Sequence, residues 1–292
     1  MKTKFLFTKI SVSLLLAMAV VFTACKKEAA NTEAELSTLE STINDTEADV
    51  AFDDVFNTTM GIGAETGEDL GLTTGVGVFA RLEGSVAGRT QRCFTITTAP
   101  QTPGAFPKTV TIDFKDGCLG PDGKLRRGKI ITVYTGPMRI PGSKATTTFD
   151  NFKVDSMRVE GTHEVANTSS SNNRILSVRV IGAKLTWDSG RWVRWSTTRT
   201  IAQVEGNGTP SFPADDIFEI TGAGRGENSR AISWAHEITE PLVKRFACRW
   251  ISKGVVRIRY NATVGSLNFG DGRCDNKAIL TVNGNSREIT LR

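Results

Sequence analysis

Histidine is almost missing from this 292-residue chain, which has only His163 and His236, and no Cys-x-x-Cys pair accompanies them. Zinc held by thiolates and imidazoles at the usual spacings is therefore disfavoured. No Gly-x-Ser-x-Gly elbow and no His-Glu-x-x-His sequence occurs, so the common hydrolase signatures are missing. Gly222-Ala223-Gly224-Arg225-Gly226 lacks the Gly-x-Gly-x-x-Gly spacing and runs into strand-like residues, which predicts a hairpin tip instead of a phosphate loop. Asp116, Asp122, Asp271 and Asp275 fit no EF-hand spacing and read as turn residues. Long apolar runs are also scarce. The one at Ile10 to Phe22 has thirteen uncharged residues, short of the roughly 20 that span a bilayer. The expectation is a protein with no catalytic residues, no metal and no cofactor, and not an enzyme.

That short run makes sense as part of an export signal. Lys2, Lys4 and Lys9 precede it, and Phe22-Thr23-Ala24-Cys25 follows. Residues 1–24 read as a lipoprotein signal peptide with Cys25 as the lipidation site; an ordinary cleaved signal peptide is the alternative. Residues 25–71 then form a lipidated tether and acidic arm, with a polar spacer at 26–34. Leu36, Leu39 and Ile43 fall at i, i+3 and i+7, and Phe52, Val55 and Phe56 share a face, which predicts a helix over 35–58. Residues 72–292 form a β-rich body, with a subdivision near 206–214 if it has two halves.

Charge divides along the same line. Residues 26–71 carry two lysines against twelve acids, and residues 72–292 carry a net +12. Either the acidic arm lies against the basic body, or the body faces an anionic partner. An exported address and the lack of a recognition motif leave no role for nucleic acid.

Removing Cys25 leaves Cys93, Cys118, Cys248 and Cys274, an even count in an exported chain. Cys93 and Cys118 enclose a unit ending Phe114-Lys115-Asp116-Gly117, and Cys248 and Cys274 enclose one ending Phe269-Gly270-Asp271-Gly272. The likeness predicts disulfides 93–118 and 248–274. Val110, Ile112 and Phe114, or Val256, Ile258 and Tyr260, alternate with polar residues, as half-buried antiparallel strands do. Glycine, asparagine and aspartate clusters punctuate them, and helical periodicity is nearly absent after residue 72 apart from a turn at Glu240-Pro241-Leu242-Val243. The fold class is all-β: an antiparallel meander of about fourteen strands forming a sandwich or an elongated sheet, with a short N-terminal helix and two disulfide-closed repeat units.

Both histidines sit on inward faces and read as satisfied core residues. All five tryptophans fall between Trp187 and Trp250. Trp187 and Trp192 flank a turn and are placed to face each other across a hairpin. Trp192 and Trp195 have opposite parity, so one points outward. With Arg191 and Arg194 nearby, an outward indole would make a platform for a sugar ring, and these four residues are the candidate ligand-binding set. Cross-strand packing is the competing reading.

The lipobox, the arm ending Phe52-Asp53-Asp54-Val55-Phe56-Asn57, Phe106-Pro107-Lys108-Thr109-Val110-Thr111-Ile112-Asp113-Phe114 and Thr148-Phe149-Asp150-Asn151-Phe152 together resemble uncharacterised outer-membrane lipoproteins of Bacteroidetes-type bacteria. The resemblance implies lipid anchoring at the outer membrane, facing the surface or the periplasm, and implies no activity. Asp155-Ser156-Met157 is similar to the short O-glycosylation sequon of such bacteria. The expected function is a cell-envelope lipoprotein with an extracytoplasmic β-rich domain that binds an anionic glycan or envelope polymer. The alternative is a structural or accessory subunit docked on an outer-membrane protein complex.

Overall fold

Alternation of β-branched and polar residues gives strands whose two faces differ, and short turns join each strand to the next. The computed structural model describes residues 8–60, 93–120, 122–170, 174–208, 215–245, 247–248 and 250–291, with side chains from residue 32 onward. The expected arm–body boundary at 71/72 and parts of the loops at 168–173 and 206–214 lie outside the described residues.

Among the described residues one helix, α1 (Thr8–Met60), precedes fourteen strands: β1 (Thr95–Ala99), β2 (Lys108–Asp113), β3 (Cys118–Leu119), β4 (Leu125–Tyr134), β5 (Lys144–Val154), β6 (Met157–Asn167), β7 (Ile175–Trp187), β8 (Trp192–Glu205), β9 (Ile217–Asn228), β10 (Ser233–Arg245), β11 (Ile251–Tyr260), β12 (Thr263–Asp271), β13 (Lys277–Val282) and β14 (Asn285–Thr290). All belong to one antiparallel sheet in chain order, with the two-residue β3 set aside on β4. Of the sandwich and the elongated sheet, the chain adopts the elongated sheet. On either side of 206–214, β8 and β9 pair from Val193↔Asn228 to Glu205↔Ile217, so the sheet is continuous there. At the last hairpin Asn283 and Gly284 both take positive φ, 49° and 84°, the backbone that suits a two-residue turn to strand twist. Glu240 to Val243 is not a turn. It lies inside β10, where shifts of register bulge the strand around Pro241, which has no N–H to give to a ladder.

The disulfides join Cys93 to Cys118 and Cys248 to Cys274, with Cα separations of 5.2 and 5.7 Å. Each closes the open end of one hairpin, β1–β2 or β11–β12. A loop of this length contributes about 3.5 kcal/mol in the chain-entropy account.

The helix is longer than 35–58 and takes in residues 26–34, which composition alone assigns to a spacer. It crosses the sheet from β14 to β4. Glu35 Oε1 accepts from Asn283 and Asn285 at 3.3 Å, and Glu40 Oε1 from Asn228 and Arg230 at 2.8 Å. Further along, Arg191 reaches Asn44 and Glu47, and Arg126 reaches Asp54. At the C-terminal end the Tyr134 hydroxyl donates to the free Thr59 carbonyl at 2.6 Å. From Glu35 to Thr59 the helix rises roughly 36 Å, whereas ten strand spacings from β4 to β14 cover roughly 48 Å. The sheet therefore curls around the helix, and the core fills the space between them. A chain of rings runs through that core from Phe94 through Phe114, Phe152 and Phe149 to Phe52, then through Trp195 to His236, with centroids 5.6 to 6.2 Å apart.

Candidate functional site

The face of α1 against the sheet is polar from Ser37 to Asp45 and apolar beyond it, at Ala48, Ala51, Phe52 and Val55. Ser37, Thr38, Ser41, Thr42, Asn44 and Asp45 are buried, while Leu36 and Ile43 are 61% and 47% exposed. Leu36 and Ile43 thus mark the outward side, while Leu39 between them packs against the core. Hydroxyls can occupy the inner side because each is satisfied within the helix. Thr38 donates to the Ala34 carbonyl, Ser41 to Ser37 and Thr42 to Thr38, at 2.7 to 2.8 Å. Their small size lets the helix approach closely. A Cβ on Gly265 of β12 would come within 2.8 Å of the Thr38 methyl.

Asp45 forms the centre of this interface. Its Oδ1 accepts from Trp195 Nε1 at 2.8 Å, Trp234 Nε1 at 2.9 Å and His236 Nδ1 at 2.7 Å, all buried. Burial works to raise the Asp45 carboxyl, but the His236 charge and the three N–H donors outweigh it and hold the group below the usual carboxylate range. His236 is thus a satisfied core residue whose partner is a helix carboxylate.

Thr197 Oγ lies 3.3 Å from His236 Nε2, so Thr197, His236 and Asp45 follow the order of a nucleophile, base and orienting acid. The Thr197 hydroxyl is buried and donates to the Ala223 carbonyl at 3.0 Å. That bond turns its proton away from the imidazole, and the cluster holds the helix in register.

The glycines at 222–226 make room for it. They form the middle of β9 instead of a hairpin tip. A Cβ at Gly224 would lie 2.5 Å from His236 Cε1, and one at Gly226 2.2 Å from Trp234 Cζ2. The rings of β10 lie across the positions where β9 has no side chains.

Beside this centre α1 and β6–β9 leave a cleft of ≈ 340 Å³, including the solvent at its mouth, lined by Asp49, Asp53, Phe52, Phe56, His163 and Arg199. Asp49 pairs with Arg199, whose Nε has no partner. His163 is sealed between Phe52 and Phe56, with Nδ1 unbonded, and burial brings its pKa down to about 4. Desolvation and then the Asp49 charge push the Asp53 carboxyl up, but its side chain is exposed and solvent screens both effects.

The four candidate ligand-binding residues separate. Trp195 is 2% exposed and belongs to the Asp45 cluster. Arg191 turns to the helix, 2.7 Å from Glu47, and covers the Trp187 ring at 3.5 Å. Trp187 therefore faces Arg191, and Trp192 stands opposite Thr186. Trp192 and Arg194 lie on the outer face, with the guanidinium 4.7 Å from the indole centroid and 3.7 Å from Glu227. Cys25 lies within the span of α1, with its side chain outside the described set. Ser156 is exposed in the β5–β6 turn.

Outer-face neighbours follow from the register. Arg127 of β4 stands beside Lys153, Lys153 beside Arg158, Arg158 beside Thr186, and Thr186 beside Trp192. Four of these five strands thus present three cations and an indole in one row, roughly 19 Å long at the usual strand spacing, while the Thr186 hydroxyl is buried among them. Asp188 and Glu160 are the acids paired with it, at 3.1 Å from Lys153 and 3.6 Å from Arg158. The arm's acids lie on the other side of the sheet, where Glu40, Glu47, Asp49 and Asp54 take Arg230, Arg191, Arg199 and Arg126.

Among the described residues no helix is long and apolar enough to cross a membrane, and no cluster of three or more histidine, cysteine or acidic residues is placed to hold a metal. No protein-family model, curated protein or solved structure matches the chain.

Proposed function

We propose that the chain is a lipid-anchored protein of the cell envelope whose β-rich body binds an anionic glycan or envelope polymer on the outer face of its sheet. The carrying observation is the row Arg127, Lys153, Arg158 and Trp192. The concave face is filled by the chain's own helix, so a polymer would meet the convex one. A charged chain lying across the strands meets cations at successive spacings and an indole on which a sugar ring can stack. Arg194 beside Trp192 widens the same platform. Two disulfides suit an oxidising compartment outside the cytoplasm.

A glycan array probed with the full chain in detergent tests this reading. Binding to acidic glycans should fall at least tenfold in Trp192→Ala and in the triple variant Arg127→Gln, Lys153→Gln, Arg158→Gln, and should weaken as salt rises. Unchanged binding in both variants would refute the site.

The accessory-subunit reading is favoured by the outward Leu36 and Ile43, apolar residues on one helix side that could meet a partner protein. Gentle extraction followed by sizing tests it: a lone monomer counts against docking.

A further inference from the structure

We propose that His163 is an acid-sensitive latch under the last turns of α1, which lift from the sheet when the imidazole takes up a proton. His163 stands in β6 with its side chain against the helix and is 1% exposed. Phe52 stacks on the ring with centroids 6.1 Å apart, and Phe56, one turn later, meets it edge-on at 6.3 Å. Between them Nδ1 has no hydrogen-bond partner. A neutral imidazole can leave one nitrogen bare at modest cost. An imidazolium has two N–H donors to satisfy and a charge that phenyl rings solvate poorly. Protonation and closure therefore oppose each other.

Side chains hold these turns to the sheet. Arg199 pairs with Asp49, Arg126 with Asp54, and the Tyr134 hydroxyl donates to the Thr59 carbonyl. Among the described residues no backbone–backbone hydrogen bond joins residues 49–60 to a strand. Just before them Asp45, gripped by Trp195, Trp234 and His236, marks where the fixed part of the helix ends. The neighbours of His163 on the strands are the uncharged Thr147 and Val180. Asp49, Asp53 and Arg199 line the cleft beside it, with Asp49 and Arg199 paired. Burial alone brings the imidazole down to about 4. Closure is therefore fully supported above about pH 6.5, the ordinary imidazole value, and loses that support as pH falls toward about 4. Between pH 7 and pH 5 the ratio of lifted to closed turns rises about 20-fold on this account. Asp53 works the other way. Desolvation and then the Asp49 charge push its carboxyl up against Arg199 and Lys244, so acid favours closure there, to an extent that solvent at its exposed side chain reduces. Mild acid thus bares the sheet beneath residues 49–60 while the Asp45 cluster keeps the helix attached.

Hydrogen exchange of the full chain in detergent tests the latch, read by mass spectrometry on peptides from residues 49–60 and from the strands. Division by the intrinsic exchange rate at each pH gives the lifted fraction. Asp53→Asn carries the measurement, since it removes the opposing carboxylate. Its lifted fraction over 49–60 should rise about 20-fold from pH 7 to pH 5, and by less than about threefold once His163→Phe or His163→Leu is added. The phenyl variant keeps a ring between Phe52 and Phe56, and the leucine variant relieves any crowding there. A flat response in Asp53→Asn overturns the latch. So does a rise that persists without His163, or one shared equally by the strands, which would be unfolding of the whole chain.

Discussion

Asp45→Ala offers the sharpest test of how the helix is held. The substitution removes an acceptor shared by Trp195, Trp234 and His236 and leaves three buried donors facing an apolar methyl. Breaking a buried charge pair from one side costs about 3–5 kcal/mol. Each orphaned donor alone would cost about 1–3 kcal/mol. Because all three meet one oxygen, these losses overlap, and a net loss of about 4 kcal/mol is expected. Asp45→Asn keeps an acceptor and loses the charge, so it should fall between parent and alanine.

Urea unfolding followed by tryptophan fluorescence suits the measurement, since two of the five indoles touch the mutated group. The pH dependence has a definite sign. The folded-state pKa of Asp45 lies below its ordinary value, so its stabilisation is present above about pH 4 and is lost as pH falls further through the folded value. The gap between parent and Asp45→Ala should thus persist from pH 8 to pH 5 and shrink below about pH 4. An alanine variant within about 0.5 kcal/mol of the parent at pH 7 would refute the reasoning, since that is the scatter of ordinary surface substitutions.

Two further outcomes follow from neighbouring residues. Gly226→Ala places a methyl against the Trp234 ring; overpacking should lower stability by about 1–3 kcal/mol, and a thermal midpoint equal to the parent's would contradict the close approach. The Asp53 carboxyl is pushed up but screened at its exposed side chain, so its ionisation above about pH 4 weakens the fold slightly. Asp53→Asn should therefore melt above the parent at pH 8 and lose that advantage at pH 4.5, and an equal difference at both pH values would argue against the shift.

The sheet was legible in the sequence because strand alternation is a property of adjacent residues, as at Val110, Ile112 and Phe114, and because the paired Phe-x-Asp-Gly units announced both disulfides. The orientation of α1 was legible at Phe52, Val55 and Phe56, whose shared face packs on the core. It was not legible over the preceding turns, where Leu36 and Ile43 point away from the sheet and Leu39 alone packs inward. The buried side repeats too, as Thr38, Ser41, Asp45 and Ala48, but hydroxyls bonded to their own helix read as solvent-facing. A run of small residues at that spacing, opposite an alternate-glycine strand, was the available signal. Gly222 to Gly226 looked like a turn because nothing local reveals that rings from the next strand occupy the vacated space. The Trp192–Trp195 parity was readable, yet which indole faced outward depended on Asp45, 150 positions from Trp195 in the chain.

The contact between Glu35 and Asn285 spans 250 positions. The first segment of the body to be synthesised is therefore the one that its last hairpin must find. Until β14 exists, the inner surface of the later strands lacks the helix that covers it, and a core so dependent on distant contacts assembles slowly. The inner face of the sheet is therefore closed only once both ends of the chain are present.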